Sequence, residues 1–244
     1  MSGNRWTALI AAAATSALIP LGPALAAAPA GTMLTAESTS LVRTSLIIAL
    51  LALLPTIMIC MTSFLRIVVV LSMIRHALGM PETPPNAVLT SLALFLTALS
   101  MGKPLEQVAS QGLQPFLAGR VSVEQGVEQG AMPLRAFMLR QVSDNDLKAI
   151  YTVSRLPVPK SAGEVGLMQL VPAFMLNELR VAFTIGFVIL LPFLLIDLVV
   201  SAILLSLGML MVPPATISLP LKILMFVLID GWALILEGLI GSFH

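Results

Sequence analysis

The amino-acid sequence predicts an all-α, membrane-associated chain: long, kinked hydrophobic helical hairpins, about four apolar segments in all, with a helical polar insert between them. Three observations carry that prediction. Of 244 residues, 58% are hydrophobic and 10% charged, where a soluble domain has about a quarter charged, and the mean hydropathy is +1.00. The apolar residues gather in four runs around one polar stretch. Within the polar stretch no strand alternation competes with the helical spacing.

The N-terminus reads as a leader. Arg5 supplies a positive n-region, residues 8–19 an apolar h-region, and Ala24-Leu25-Ala26 an A-x-A cleavage site. Residues 1–26 are therefore expected to be a secretory signal peptide cut between Ala26 and Ala27. Its apolar core is shorter than the roughly 20 residues a span requires. Residues 27–44 follow as an N-terminal extension.

Residues 45–102 form the first hydrophobic helical hairpin. Its first run, 46–74, has Arg66 as its only charge; a turn stiffened by Pro81, Pro84 and Pro85 leads to the uncharged run 87–101. Residues 103–180 are expected to be a helical extracytoplasmic insert. Within it, SVEQGVEQGAMPLRAFMLRQV sets Val123, Val127, Leu134, Phe137 and Met138 on one apolar face. SDNDLKAIY then opens with Ser143 as a helix N-cap and acids in the first turn. Leu156-Pro157-Val158-Pro159 marks a break.

Residues 181–244 make the second hairpin. Run 181–211 holds only Asp197, and run 223–240 holds Asp230 and Glu237. Between them GMLMVPP, 208–214, ends one helix and starts another: Gly208 by backbone freedom, Pro213 and Pro214 by lost donors and steric clash. A cleaved leader starts the mature chain outside the cytoplasm. Four crossings then place 75–86 and 208–214 inside and the insert outside.

The long runs raise a geometric question. Each is about 30 residues, about 45 Å as helix, against a hydrocarbon core of about 30 Å. A kink at Pro55 or Pro192, each in a Leu-Leu-Pro, would absorb the excess. So would a surface that faces neighbouring protein, because hydropathy reports an apolar surround without naming it.

Charges in apolar surroundings are costly unless paired or wetted. Arg66, Glu178, Arg180, Asp197, Lys222 and Asp230 are accordingly expected to pair between helices or between subunits. The competing reading is a small multi-pass secondary transporter or channel with Asp197 as its ion-coupling site.

Several function classes are excluded. The balance of 13 basic against 12 acidic residues offers no phosphate-neutralising surface, so no nucleic-acid partner is expected. Cys60, the one cysteine, can form no intrachain disulfide. With histidine only at 76 and 244, and no zinc, nucleotide or nucleophile motif, no catalytic residue, metal ligand or cofactor is expected. Asp144 and Asp146 read as helix-dipole partners rather than as a metal pair.

Three long motifs carry a resemblance. MTSFLRIVVVLSMIRHALG, PPNAVLTSLALFLT, and the stretch from PAFMLNELR through GMLMVPP to DGW resemble the flagellar biosynthetic protein FliP family, whose relatives serve type III secretion export gates. The leader and the DGW favour the flagellar branch. The resemblance implies a core subunit of the flagellar type III protein export gate, lining the channel for unfolded flagellar proteins. It implies a homo-oligomer of five copies with FliQ and FliR in a helical, pore-forming assembly, joined by FlhB and working above FlhA. It also implies a bacterial inner-membrane, basal-body location with much of the core on the periplasmic side. Met209, Leu210 and Met211 stand where similar proteins place a methionine constriction. Relatives commonly run three methionines there; Leu210 takes the middle place. Unbranched, uncharged thioethers suit a ring that closes around any passing chain.

Overall fold

The computed structural model describes residues 36–243. The expected leader, with Ala24, Ala26 and Ala27, lies outside the described residues. The chain divides between Ala52 and Leu53. Helix α1, Ala36–Met61, runs across that division, and the remaining helices belong to the second unit.

All regular elements among the described residues are helical. After α1 come α2 (Phe64–Ala77), α3 (Asn86–Ser100) and α4 (Gly102–Gln107), then a π-helical stretch, Val108–Leu113, and α5 (Gln114–Leu117). The insert continues with α6 (Val123–Gln141) and α7 (Asp144–Val153). Helix α8 runs unbroken for 40 residues, Leu167–Ser206, about 60 Å. Helices α9 (Ala215–Leu228) and α10 (Gly231–Gly241) complete the fold.

By length and composition α8 is the one described helix able to cross a membrane by itself. Counting each sharply bent pair as a single span raises that to four. The bends are 80° between Pro55–Met61 and α2, 77° between α3 and Gly102–Leu117, and 67° between α9 and α10. They do not fall where Leu-Leu-Pro predicted. Pro55 and Pro192 lie inside α1 and α8, where a single missing donor leaves the rest of the ladder intact. The first bend falls instead at Thr62-Ser63. There the Thr62 hydroxyl donates to the Met58 carbonyl and accepts from the Phe64 amide at 3.2 Å, so a side chain takes over backbone bonding. Ser63 is held from α3: its amide lies 3.3 Å from Met101 Sδ and its hydroxyl 2.7 Å from the Ser100 hydroxyl.

Two apolar cores share α8. In one, Ile67, Val70, Leu71 and Ile74 of α2 pack with Ala93 and Leu96 of α3, Ala182 and Phe193 of α8, and Phe226, Ile235 and Leu239 beyond. The other joins Leu134, Phe137 and Met138 of α6 to Tyr151, Val165, Leu170 and Phe174; the Phe137 and Phe174 rings meet edge-on at 5.9 Å. The start of α8, through Phe174, thus completes the insert core, and from Ala182 onward the helix completes the hairpin core. Hydropathy rises at position 180/181, but backbone hydrogen bonding continues through it.

Close backbone approach shapes both cores. A Cβ at Gly186 would clash with Met73 Sδ, which explains how α8 sits so near α2. In the insert, a Cβ at Gly112 would lie 2.7 Å from the Gly130 Cα. Helix α6 therefore turns Gly126 inward and leaves Val127 exposed, against the face read from hydrophobicity. Glycine is not apolar enough to register in a periodicity, yet it alone permits this contact.

Candidate functional site

The segment between α8 and α9 is built by its caps. Gly208 takes a left-handed φ of +70°. Its amide donates to the Leu205 carbonyl at 3.1 Å, and the Met209 amide donates to the Leu204 carbonyl at 2.9 Å, the paired bonds of a Schellman stop. On the other side Pro213 and Pro214 open α9, where proline's missing amide donor is no loss. Their carbonyls accept from the Thr216, Ile217 and Ser218 amides at 2.9–3.1 Å. Backbone bonding is satisfied at both edges, and the side chains between are left outside. Met209 is 44% exposed, Leu210 78% and Met211 97%, with no charged residue from 207 to 214.

Of the six charges singled out in the sequence, five have ion-pair partners among the described residues and Asp230 has none. Arg66 on α2 is 1% exposed and Glu178 on α8 is fully buried. Arg66 Nε donates to Oε2 at 2.8 Å and Nη2 to Oε1 at 2.5 Å. Nη1 donates to the Ser242 carbonyl at 2.8 Å and hydroxyl at 2.9 Å, and Nη2 reaches Gln141 Oε1 at 3.3 Å. All five guanidinium protons thus have acceptors, and the Phe243 ring stacks 4.1 Å from the guanidinium carbon. Asn177 donates to the Gln141 carbonyl at 2.8 Å, closing the network onto α6.

Lys222 on α9 donates from Nζ to Asp197 Oδ2 on α8 at 2.6 Å and to the Ala77 carbonyl, at the end of α2, at 3.1 Å. An ammonium suits that helix C-terminus. The pair is lopsided: the Lys222 side chain is 8% exposed and that of Asp197 40%. Arg180 lies 2.5 Å from Asp146, a buried carboxylate in the first turn of α7. Ser143 caps α7 as predicted, accepting from the Asp146 amide at 3.3 Å, and its hydroxyl donates to Oδ2 of the same residue at 2.7 Å. Asp230 stands at the α9–α10 bend with φ 49° and makes no salt bridge among the described residues.

The sequence points at Arg66, Glu178, Arg180, Asp197, Lys222 and Asp230 but leaves out Gln141, Ser242, Phe243 and the pairing of Asp146. Asn177 beside Glu178 in an apolar helix was a legible signal of a buried polar site. Ser242 and Phe243, at a helix end, carried none.

Comparison with known proteins follows the same residues. The FliP family profile matches residues 47–239. The chain is 47% identical over 203 residues to the flagellar biosynthetic protein FliP of Pectobacterium carotovorum subsp. carotovorum, covering 83% of this chain and 79% of that one. It is 46% identical to that of Caulobacter vibrioides, covering 81% and 74%, and 41% identical to that of Bacillus subtilis, covering 84% and 92%.

Proposed function

The chain belongs to the FliP family and is a flagellar export-apparatus component of the membrane, and from that premise we propose that it lines the channel of the export gate. In this reading several copies, five in number, assemble with FliQ and FliR, with FlhB and FlhA as neighbours, and unfolded flagellar proteins pass through. Much of the assembled core stands on the periplasmic side of the inner membrane.

The observation that carries the reading is the uncharged, solvent-facing Met209-Leu210-Met211 segment, held out between two satisfied helix ends. A ring of such segments is apolar, which denies ions a hydrated path, and flexible, which tolerates any passing side chain. The apolar faces that α8 to α10 leave uncovered, among them Phe183, Phe187, Leu198 and Leu228, suit sister subunits as well as lipid. That choice also accommodates an α8 twice as long as a hydrocarbon core. The transporter alternative needs Asp197 free for an ion, whereas Lys222 already occupies its carboxylate.

The test is a leak measurement on the assembled gate in vesicles. Replacing Met209 and Met211 together by alanine is expected to raise ion leak while leaving the native particle mass unchanged. An assembled gate with unaltered leak refutes the constriction, and a particle with the mass of one subunit refutes the assembly.

A further inference from the structure

We propose that Met209 and Met211 form an oxidation site through which a peroxide loosens the gate, an inference that rests on the constriction read above. Exposure is the first ground. Met211 is almost wholly exposed and Met209 nearly half so, whereas Met101 and Met138 are completely enclosed. Oxidation of methionine follows access of the oxidant to sulfur, so Met211 is the most open target among the described methionines, ahead of Met168 at 84% and Met132 at 57%, and Met209 belongs with the exposed set rather than the enclosed one. Chemical contrast is the second ground. The segment 207–214 carries no charged side chain, and a new polar group there has the greatest effect on hydration.

The step balances without a further reagent. A sulfur lone pair attacks one oxygen of hydrogen peroxide, the S–O bond forms as the O–O bond breaks, and the departing hydroxide takes the proton of the attacked oxygen and leaves as water. Sulfur loses two electrons and the peroxide gains them. The product is a sulfoxide, polar and chiral in place of a flexible apolar thioether. Sulfoxide oxygens accept hydrogen bonds from water, so a ring of them stabilises the wetted pore that thioethers exclude. Leu210 cannot follow this chemistry, and it becomes the one apolar position left in the ring.

The experiment treats the purified gate, complete with its partner subunits in vesicles, with hydrogen peroxide while following ion leak and mapping sulfoxides by peptide mass spectrometry. Met211 and Met209 are expected to oxidise well ahead of Met101 and Met138, with a several-fold rise in leak that methionine sulfoxide reductases reverse. A Met209→Leu/Met211→Leu gate is expected to show no peroxide response relative to its own starting leak, although exposed Met168 on α8 still oxidises. The inference is overturned if the loop methionines oxidise no faster than the enclosed ones, if full oxidation leaves the leak unchanged, or if the leucine gate responds equally. The alanine variant separates this from the underlying reading. A leak raised by alanine but untouched by peroxide sinks only the oxidation site, and a leak raised by neither sinks the constriction as well.

Discussion

The guanidinium of Arg66 and the carboxylate of Glu178, 112 residues apart in sequence, face each other through two hydrogen bonds of 2.8 Å and 2.5 Å where the insert core meets the hairpin core. Removing one partner strands the other without solvent, which costs about 3–5 kcal/mol, whereas replacing both with apolar residues of similar volume is far milder. Arg66→Met and Glu178→Leu are each expected to abolish recovery of folded protein from detergent extracts, and the double variant to restore part of it. Additive losses in the double variant would show that the pair is uncoupled.

Asp197 and Lys222 should respond unequally. Lys222→Met leaves a carboxylate that is 40% exposed and can take up water. Asp197→Leu leaves an ammonium that is 8% exposed, with the Ala77 carbonyl as its remaining acceptor. Melting temperature in detergent is expected to fall more for Asp197→Leu, and the reverse order would contradict the burial asymmetry. Recovery of the assembled complex on native gels should fall with it.

Gly186 tests the approach of α2 to α8. A valine there meets Met73 at Sδ, Cε and Cβ, the last at 3.2 Å, so the helices must separate. Overpacking of this kind costs about 1–3 kcal/mol. Because part of the clash is with the far end of a flexible side chain, Met73→Ala is expected to rescue Gly186→Ala almost fully and Gly186→Val only in part. A thermal-unfolding double-mutant cycle measures both.

Two further glycines should fail for different reasons. Gly112→Ala drives a methyl into backbone atoms at 2.7–2.9 Å, and the loss is expected in the insert itself, as faster proteolysis of α6. Gly208→Ala meets nothing within 4 Å but must hold a left-handed φ, at about 1–2 kcal/mol. Its expected signature is a shifted α8 stop and an altered gate leak, with the insert as protease-resistant as in the parent chain.

Much of the candidate site is legible in the sequence. Gly208, Pro213 and Pro214 announce a helix stop and start because their backbone preferences are intrinsic, and Ser143 announces a cap for the same reason. Arg66, Glu178, Asp197 and Lys222 stood out because charge in apolar surroundings demands a partner. Asp146 did not stand out, since an acid in a first turn is already explained by the helix dipole, and its pairing with Arg180 shows only when α7 lies on α8.

What the sequence determined by itself is local: helical class, the apolar runs, the breaks, and which residues needed a partner. These follow from hydrophobic period and backbone propensity, which act over a few residues. What only the tertiary structure decided is who meets whom: that Arg66 is finished by Ser242 and Phe243, that α6 turns Gly126 rather than Val127 inward, and that the first bend falls at Thr62-Ser63 while Pro55 and Pro192 stay in helix. Those outcomes depend on distances between residues far apart along the chain, and distance is set by packing, where a glycine's missing Cβ or one hydroxyl's reach outweighs hydropathy.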